Sequence, residues 1–350
     1  MTDFPLWLNG LGFLVAAVLV WVFGTRLTLD VDKIAELTGI GRAFAGMLLL
    51  GTVTSLPEVA SVTTSAVTGN PALATNNLLG SVAINVTLIA LADAVLGRDA
   101  LTSVVASPAT MLHGALGITA LAAATLIVLS GDVSILNVGL SALGLFAFCV
   151  WAFWLASSYA DRAPWRAVSA ATGEVLAANP REDPLPDGES RSRLRSYLLK
   201  AGGAAAVIFI AGFTLSELGD AIAKQTGLNT GIVGFVLIGF STSLPEASSI
   251  TAAVRIKRYE MALGDVFGTN LLTIGLILVA DVFYRQGAIL NEAGRFEATA
   301  ALLGLVLTAI FLIGLLERGN RTIFRMGYDS LAAIVTFLGG LVLLYSAQGT

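Results

Sequence analysis

Two acids that lie within apolar, membrane-length stretches are the first residues of this sequence that suggest chemistry. Residues 51–58 read GTVTSLPE, and 188 positions later residues 239–246 read GFSTSLPE. A carboxylate at membrane depth is costly unless it faces a cavity, a partner or an ion, so it is a functional-site hypothesis by default. Glu58 and Glu246 are therefore candidate functional residues.

The residues before each acid supply further oxygen atoms. Pro57 and Pro245 lack an N–H and push away the carbonyl four residues earlier, which frees the backbone oxygens of Val53 and Ser241. Within a membrane, a carbonyl oxygen freed in this way is tolerated only where it lines a cavity or accepts a hydrogen bond from a side chain. Hydroxyls stand at the same level in both copies, at Thr54, Ser55, Thr242 and Ser243. Carbonyl, hydroxyl and carboxylate oxygens are the ligands of hard cations such as Ca2+ or Na+.

The next apolar stretch in each copy adds polar residues at constant spacing. Ser81 and Asn85 follow Glu58 at +23 and +27, and the same offsets from Glu246 give Thr269 and Thr273. Residues four apart share a helix face. The glycines before them, Gly80 and Gly268, allow a neighbouring helix to approach closely. With two acids the predicted site carries a charge of −2, which one dication balances.

Composition indicates a membrane protein that crosses the bilayer many times. Of 350 residues, 56% are hydrophobic and only 13% are charged, which exceeds the apolar content that a soluble domain buries. Cys149 is the only cysteine, which excludes an internal disulfide and a cysteine-based metal cluster.

A mixed-charge segment at 30–37 predicts a short interfacial helix. Apolar windows long enough to span a bilayer lie at 5–24, 43–67, 72–96, 103–129, 133–158, 196–217, 230–254, 260–284, 296–316 and 326–347.

The second half of the chain repeats the first. Aligning 24–95 with 212–283 without a gap gives 23 identities in 72 positions. Five spans separate the halves, so the repeat enters the membrane from the opposite side, which is the architecture of secondary transporters. We predict an all-α membrane protein of ten transmembrane helices. Its parts are a five-helix repeat at 1–158, a cytoplasmic linker at 159–194 and an inverted five-helix repeat at 195–350.

The doubled motif resembles that of the cation/calcium antiporters, the family that includes the sodium/calcium exchangers. Each TSLPE sequence is followed by a Gly-Ser or Gly-Thr pair, as in the two alpha repeats of that family. The resemblance implies alternating-access exchange of Ca2+ or a related cation for Na+ or H+, with no cofactor. It implies carboxylate ligands at Glu58 and Glu246, side-chain oxygens at Thr54, Ser55, Ser81, Asn85, Thr242, Ser243 and Thr269, and carbonyls at Gly51 and Gly239.

The chain departs from the family pattern at three kinds of position. Val53 and Ser241 stand where a glycine is usual, and Val82 stands where an asparagine is usual. Thr273 stands where sodium/calcium exchangers commonly carry an acid, and we include it among the candidate metal ligands. These departures leave the fold expectation intact and bear on the substrate.

Other functions of the same sequence remain open. The same fold serves exchange of monovalent cations for protons without Ca2+. A membrane-embedded enzyme would need a nucleophile with a base or an acid dyad, but the only histidine, His113, lies outside the motif helices. A channel is a further alternative, although the motif is inverted within one chain and does not form a ring. The predicted partners are inorganic cations and the lipid bilayer, with no nucleic acid; the oligomeric state is left open.

Several candidate residues also have a purely structural interpretation. The Ser and Thr hydroxyls can bond to carbonyls one turn earlier in their own helix. Asp93 and Asp281 lie near the ends of their spans, where capping is the simpler role. His113 is expected to serve helix packing. Glu58 and Glu246 would be buried structural acids in this interpretation, which does not explain their symmetric placement.

Basic residues give a first testable prediction, the orientation in the membrane. With both termini outside the cell (inner) membrane, 17 of the 20 Lys and Arg residues fall on the cytoplasmic side. We expect a tag placed within 159–194 to be shielded in intact cells and a C-terminal tag to be labelled by an impermeant reagent. The reverse labelling pattern would overturn this topology.

Overall fold

The computed structural model describes most of the chain as helix. The described residues are 4–40, 45–96, 100–105, 107–135, 137–160, 187–226, 239–323 and 326–347. Most of the predicted linker, at 161–186, lies outside these residues, as do 227–238 before the second motif. The two motif copies themselves are described in full.

The described residues of the first half contain seven helices. A five-residue π-helical segment, Gly46–Leu50, precedes the second of them. A two-stranded antiparallel hairpin, β1 (Ser134–Ile135) and β2 (Val138–Gly139), precedes the last. The helices are α1 (Leu6–Thr38), α2 (Gly51–Thr54), α3 (Leu56–Val67), α4 (Pro71–Leu96), α5 (Leu101–Val104), α6 (Pro108–Ser130) and α7 (Leu140–Ala160).

The described part of the second half repeats the order of the long helices and the hairpin. A 3-10 turn, Ile289–Glu292, follows its long central helix. Its hairpin consists of β3 (Thr322–Ile323) and β4 (Met326–Gly327). The helices are α8 (Asp187–Thr226), α9 (Gly239–Thr242), α10 (Leu244–Arg255), α11 (Tyr259–Phe283), α12 (Arg295–Glu317) and α13 (Tyr328–Ala347).

Element boundaries repeat at the offset found in the sequence. Helices α2 and α3 correspond to α9 and α10 with identical lengths, and the β1–β2 hairpin corresponds to β3–β4, in both cases 188 residues later. The structure therefore contains a repeat of elements as well as of residues. The two hairpins are the departure from the predicted all-α architecture, since two-residue strands are too short to be read from hydrophobic periodicity.

Seven helices of the described residues are long and apolar enough to cross a membrane. An eighth span arises if the residues of 46–54 and α3, which are bent by 44° at their junction, count as one broken span. The apolar part of α7, Leu140–Ala156, is shorter, and the residues before α9 lie outside the described chain. The protein is thus an integral membrane protein with seven or eight such helices among its described residues, and the count of ten stays a prediction.

Helix α1 differs from the sequence expectation. The predicted interfacial helix at 30–37 is wrong as a separate element, because α1 continues without a break to Thr38 over 33 residues. At 1.5 Å per residue this helix is about 50 Å long, which exceeds the hydrocarbon thickness of about 30 Å. Its far end is held by an ion pair between Arg258 Nε and Asp32 Oδ1 at 2.7 Å.

Small residues let the outer helices lie directly on the motif helices of the opposite half. A Cβ added to Gly24 of α1 would lie within 3.3 Å of the Pro245 carbonyl oxygen and closer still to Ser248 Oγ. A Cβ on Gly212 of α8 would lie 2.3 Å from Pro57 Cγ. Helices α4 and α11, whose residues are mostly buried, form the centre between these layers.

Close packing at Gly268 gives a prediction about stability. Its Cβ would lie 2.7 Å from the Met47 Cα, a backbone atom that cannot rotate away, whereas nothing lies within 4 Å of the buried Gly117 in α6. We expect Gly268→Ala to destabilise the protein by about 1–3 kcal/mol through overpacking. We expect Gly117→Ala to leave stability unchanged or raise it, since alanine is the better helix former. Thermal unfolding in detergent compares the two variants, and equal melting temperatures would contradict the close-packing argument.

Candidate functional site

The two motif acids begin new helices at the centre of the molecule. Helix α2 ends at Thr54, and Ser55, with φ −76° and ψ −2°, joins it to α3, whose first turn contains Pro57 and Glu58. The second copy is built in the same way, with Glu246 in the first turn of α10. Both acids have no solvent-exposed surface. The positive end of a helix dipole favours negative charge in the first turn.

Each motif helix meets the long central helix of the other half. A Cβ on Gly51 would lie 3.0 Å from the Thr269 Oγ1 of α11. A Cβ on Gly239 would lie 3.1 Å from the Gly80 carbonyl carbon and 3.2 Å from the Ser81 nitrogen of α4. Because no side chain fits in either gap, the polar faces of all four helices converge.

The predicted hydroxyls lie beside the carboxylates across this contact. Ser81 Oγ and Thr242 Oγ1 are 3.0 Å apart, and both lie next to the Glu58 carboxylate. Thr54 lies next to Glu246, whose charge also interacts with that of Glu58. The structure therefore brings these five predicted residues, from both halves, into one buried region.

Local bonding of the motif hydroxyls, the structural alternative, is also present. Thr54 Oγ1 donates to the Leu50 carbonyl at 3.0 Å, and Ser55 Oγ donates to the Gly51 carbonyl at 2.7 Å. A hydroxyl that donates its proton keeps its lone pairs, so this bonding leaves the oxygen able to accept a cation. The two interpretations of Thr54 and Ser55 are compatible.

The carbonyls of Gly51 and Gly239 already accept hydrogen bonds. Gly51 O accepts from both the nitrogen and the hydroxyl of Ser55. Gly239 O accepts from the Ser243 nitrogen at 3.0 Å and from Thr242 Oγ1 at 3.2 Å. In this conformation both lone pairs of each carbonyl are in use. The contribution of these glycines here is close packing, and a role as carbonyl ligands stays a prediction.

A second pair of polar contacts joins α4 to α11. Asn85 Nδ2 donates to Asn270 Oδ1 at 3.3 Å, and Asn270 Nδ2 donates to the Val82 carbonyl at 3.4 Å. Val82 and Asn270 occupy equivalent repeat positions. The second half therefore carries an asparagine side chain that donates to the backbone of the first half, which has a valine at this position. Sequence reasoning placed Asn85 in the site but missed Asn270. Thr273, the repeat equivalent of Asn85, is also fully buried.

Unpartnered oxygen atoms are concentrated on the predicted residues. In the described part of the chain, eleven buried side-chain polar atoms lack a hydrogen-bond partner, and seven of them belong to predicted site residues. A buried polar group without a partner costs about 1–3 kcal/mol, and more when it is charged. Such a concentration is expected where the missing partner is a ligand. The seven atoms are both carboxylate oxygens of Glu58 and of Glu246, Asn85 Oδ1, Ser243 Oγ and Thr273 Oγ1.

A third buried acid, Asp265, was missed by the sequence analysis. It is fully buried in α11 and accepts hydrogen bonds from Ser249 Oγ and, at 3.5 Å, from Thr269 Oγ1. Its charge interacts with that of Glu246. A third carboxylate therefore adjoins the region of the two glutamates, and the ligand charge of −2 stays a prediction. The rule that identified Glu58, an acid within an apolar stretch, also applies to Asp265.

The three acids do not form one compact cluster. Among the described residues, no three His, Cys, Asp or Glu side chains converge on a point where they would hold a metal ion. A cation between Glu58 and Glu246 would therefore take its remaining ligands from hydroxyl and amide oxygens. Ca2+ and Na+ accept such ligands, whereas softer transition metals prefer sulfur or imidazole.

The remaining buried acids have structural partners. Asp93 accepts from the nitrogens of Leu101 at 2.6 Å and Gly327 at 2.5 Å. Asp281 accepts from the nitrogens of Ile289 at 2.6 Å and Gly139 at 2.5 Å. The capping interpretation of Asp93 and Asp281 is confirmed, because each ties a span end to the loop after it and to a hairpin.

The histidine likewise shows a packing contact. His113 Nδ1 lies 2.7 Å from the Ala109 carbonyl oxygen, and the ring is 6.5 Å from that of Phe153 on α7. These contacts agree with the expected role in helix packing, while Nε2 lacks a partner among the described residues.

Comparison with known proteins identifies the family of the chain. The sequence pattern of the family described as "Sodium/calcium exchanger protein" matches residues 8–155 and 197–346. The chain belongs to the sodium/calcium exchanger protein family. The match covers both halves and omits only the termini and the segment between the halves. Membership in this family identifies the chain as a membrane cation antiporter.

Two curated bacterial relatives cover most of the chain. Inner membrane protein YrbG of Escherichia coli K12 is 26% identical over 299 residues, 85% of this chain and 86% of its own length. Putative antiporter CaxA of Alkalimonas amylolytica is 26% identical over 340 residues, 95% of this chain and 98% of its own length.

A solved structure of the sodium-calcium exchanger NCX_Mj has the same fold. It superposes with a TM-score of 0.69 at 14% identity, over 97% of this chain and 99% of that one. The similarity therefore extends over both halves of this exchanger-family member.

The unpartnered hydroxyl of Thr273 gives a prediction that separates a ligand site from a packed core. Replacing it with valine removes a buried group that lacks a partner, so we expect Thr273→Val to stabilise the cation-free protein by about 1 kcal/mol. In the control Thr308→Val, a buried hydroxyl that donates to the Gly304 carbonyl at 2.7 Å is lost, and stability should fall by about 1 kcal/mol.

Thermal unfolding of both variants, with and without added Ca2+, tests this expectation. Ca2+ should raise the melting temperature of Thr273→Val less than that of the parent and should act normally on Thr308→Val. An equal loss of stability in the two variants would show that the Thr273 hydroxyl is an ordinary core group.

Proposed function

We propose that the chain exchanges Ca2+ or a related divalent cation for Na+ or H+ by alternating access. The observation that carries this proposal is the pair of carboxylates from Glu58 and Glu246, fully buried and with all four oxygens unpartnered among the described residues. Two unit charges about 5 Å apart repel by about 3 kcal/mol at an effective dielectric constant of about 20. A cation between them converts that repulsion into attraction.

The ligand set consists of Glu58 and Glu246 with oxygens from both halves of the chain. Ser81, Thr242 and Thr54 supply hydroxyls beside the carboxylates. These oxygens would replace the hydration shell that a cation loses inside the protein. The remaining predicted ligands are the side-chain oxygens of Ser55, Asn85, Ser243, Thr269 and Thr273 and the carbonyl oxygens of Gly51 and Gly239.

Coupling follows from the cost of burying unneutralised acids. The same oxygens serve either ion, and the loaded site is far less costly to move between the two sides of the membrane than the empty, charged one. Competition for one set of ligands therefore links the outward movement of one ion to the inward movement of the other. No separate gate for each ion is needed.

The fold that we propose for this function has two inverted five-helix halves, ten spans and both termini outside the bacterial inner membrane. The matched residue offsets of α2–α3 and α9–α10 support two equivalent halves. An odd number of spans before the second copy would invert it, so α2 and α9 would enter the site from opposite membrane faces. Such an arrangement gives each side of the membrane an equivalent route to the acids.

Charge removal at the two glutamates tests the proposed function. We expect Glu58→Gln and Glu246→Gln each to abolish uptake of labelled calcium into liposomes, because each removes a full ligand charge from a low-dielectric site. Glu297→Gln is the matched control, since Glu297 is also buried but accepts from Asn76 Nδ2 at 3.0 Å and from the Gly294 nitrogen at 2.7 Å.

The control variant should retain calcium exchange. Normal uptake in either motif variant would refute the ligand assignment. Uptake of Na+ in exchange for protons, with no calcium uptake by the parent protein, would instead favour the monovalent cation/proton antiporter.

A further inference from the structure

A groove lies between α1 and α8, on the outer surface of the helix bundle and away from the central acids. It encloses about 580 Å³ and follows the chain from Phe4 to Leu19 on one side and from Val207 to Leu218 on the other. At 1.5 Å per residue these stretches are about 16–22 Å long. One leaflet supplies about 15 Å of hydrocarbon, which is half of about 30 Å. The groove is therefore about as long as one leaflet is thick.

The walls of the groove are apolar along most of this length. Among its lining residues in the described chain, only Asn9 and Thr214 have polar side chains, and none is charged. Thr214 Oγ1 donates to the Ile210 carbonyl of its own helix at 2.8 Å and is thus satisfied. Both helices are long and apolar, and only 17% and 28% of their apolar windows are buried, so this surface faces hydrocarbon. The walls therefore suit an apolar chain.

One end of the groove contains a buried amide oxygen that lacks a hydrogen bond. Asn9 is 1% exposed, and its Nδ2 donates to the Phe4 carbonyl at 3.2 Å and to Gln225 Oε1 at 3.4 Å. Gln225 Nε2 donates to the same carbonyl at 2.8 Å. Asn9 Oδ1, in contrast, has no partner among the described residues. Because a buried acceptor without a partner is costly, this oxygen indicates a donor that comes from outside the chain.

The charges at this end indicate what kind of donor fits. Lys224, next to Gln225, pairs with Asp220 Oδ2 at 2.6 Å. No Lys or Arg lines the groove in the described part of the chain, so an acidic headgroup would find no countercharge within it. A primary ammonium group carries three N–H donors, whereas a trimethylammonium group carries none. A phospholipid with a primary amine headgroup therefore matches both the acceptor at the end of the groove and its apolar walls.

We propose that this groove binds one acyl chain of an amine-headgroup phospholipid, whose ammonium group donates to Asn9 Oδ1. The site is separate from the two glutamates, and the inference does not depend on which ions the protein exchanges. Helices α1 and α8 lie directly on the motif helices at Gly24 and Gly212. A lipid chain that fills the gap between α1 and α8 stabilises the pair of helices that covers the centre.

Two exposed valines of α1 supply matched variants for the test. Val15 is 53% exposed and lines the groove, whereas Val18 is 55% exposed and lies outside it. Val15→Trp fills the groove with an indole ring, and Val18→Trp places the same ring on the neighbouring surface. A third variant, Asn9→Leu, removes the acceptor and leaves the apolar walls in place.

Native mass spectrometry of the full chain in detergent measures lipid binding. The probes are phosphatidylethanolamine and phosphatidylcholine with identical acyl chains. We expect the parent to bind the first phosphatidylethanolamine about tenfold more tightly than phosphatidylcholine, since a hydrogen bond to a charged group has this magnitude. Val15→Trp should lose this first binding step and Val18→Trp should retain it. Asn9→Leu should bind the two lipids equally.

The contrary results separate the location of the lipid from the identity of its headgroup. Parent-like binding of the first lipid by Val15→Trp would overturn the location. Equal affinity of the parent for the two lipids, or tighter binding of phosphatidylglycerol, would overturn the headgroup. A lipid-free dimer that is lost in Val15→Trp would show that a second copy of the chain occupies the groove. If Asn9→Leu does not fold, Val15→Trp and the lipid preference of the parent decide, because neither removes the Asn9 hydrogen bonds.

Discussion

The structure depends on the cost of holding two carboxylates, Glu58 and Glu246, away from water with no protein group to neutralise them. Buried charges in proteins are normally paired, since an unpaired one costs several kcal/mol after relaxation. Both acids here are completely buried and their oxygens lack partners among the described residues. A bound cation or a proton on the carboxyl groups offsets this cost, and the surrounding helices place hydroxyl oxygens beside the acids.

The same constraint explains why glycines lie where the four central helices meet. The hydroxyls lie beside the acids only if α2 and α9 approach α11 and α4 more closely than side chains normally permit. Gly51 against Thr269 and Gly239 against Gly80 provide that approach. Close packing and ligand geometry are therefore one requirement. A bulkier residue at either glycine would move a hydroxyl away from the acid that it accompanies.

Sequence reasoning could single out the two motif acids because their signals are local and doubled. An acid after proline in an apolar stretch, repeated at constant offset, identifies Glu58 and Glu246 without any knowledge of the fold. Asp265 was missed because it lies outside the repeated motif, and Asn270 because its partner is a carbonyl of the other half. The continuous α1 and the short hairpins were not predicted, since a mixed-charge segment can extend a helix and two-residue strands have no periodicity.

Two similar halves do not require a symmetric site, and the asymmetry has a physical use. If position 265 carried the amide of Asn77, the site would hold two acids related by the repeat, and one dication would neutralise both. Asp265 adds an acid in the second half only, where Ser249 and Thr269 donate hydrogen bonds to it. A repeat can thus keep equivalent helix positions in its two halves while a single side chain makes the charges of the two halves unequal.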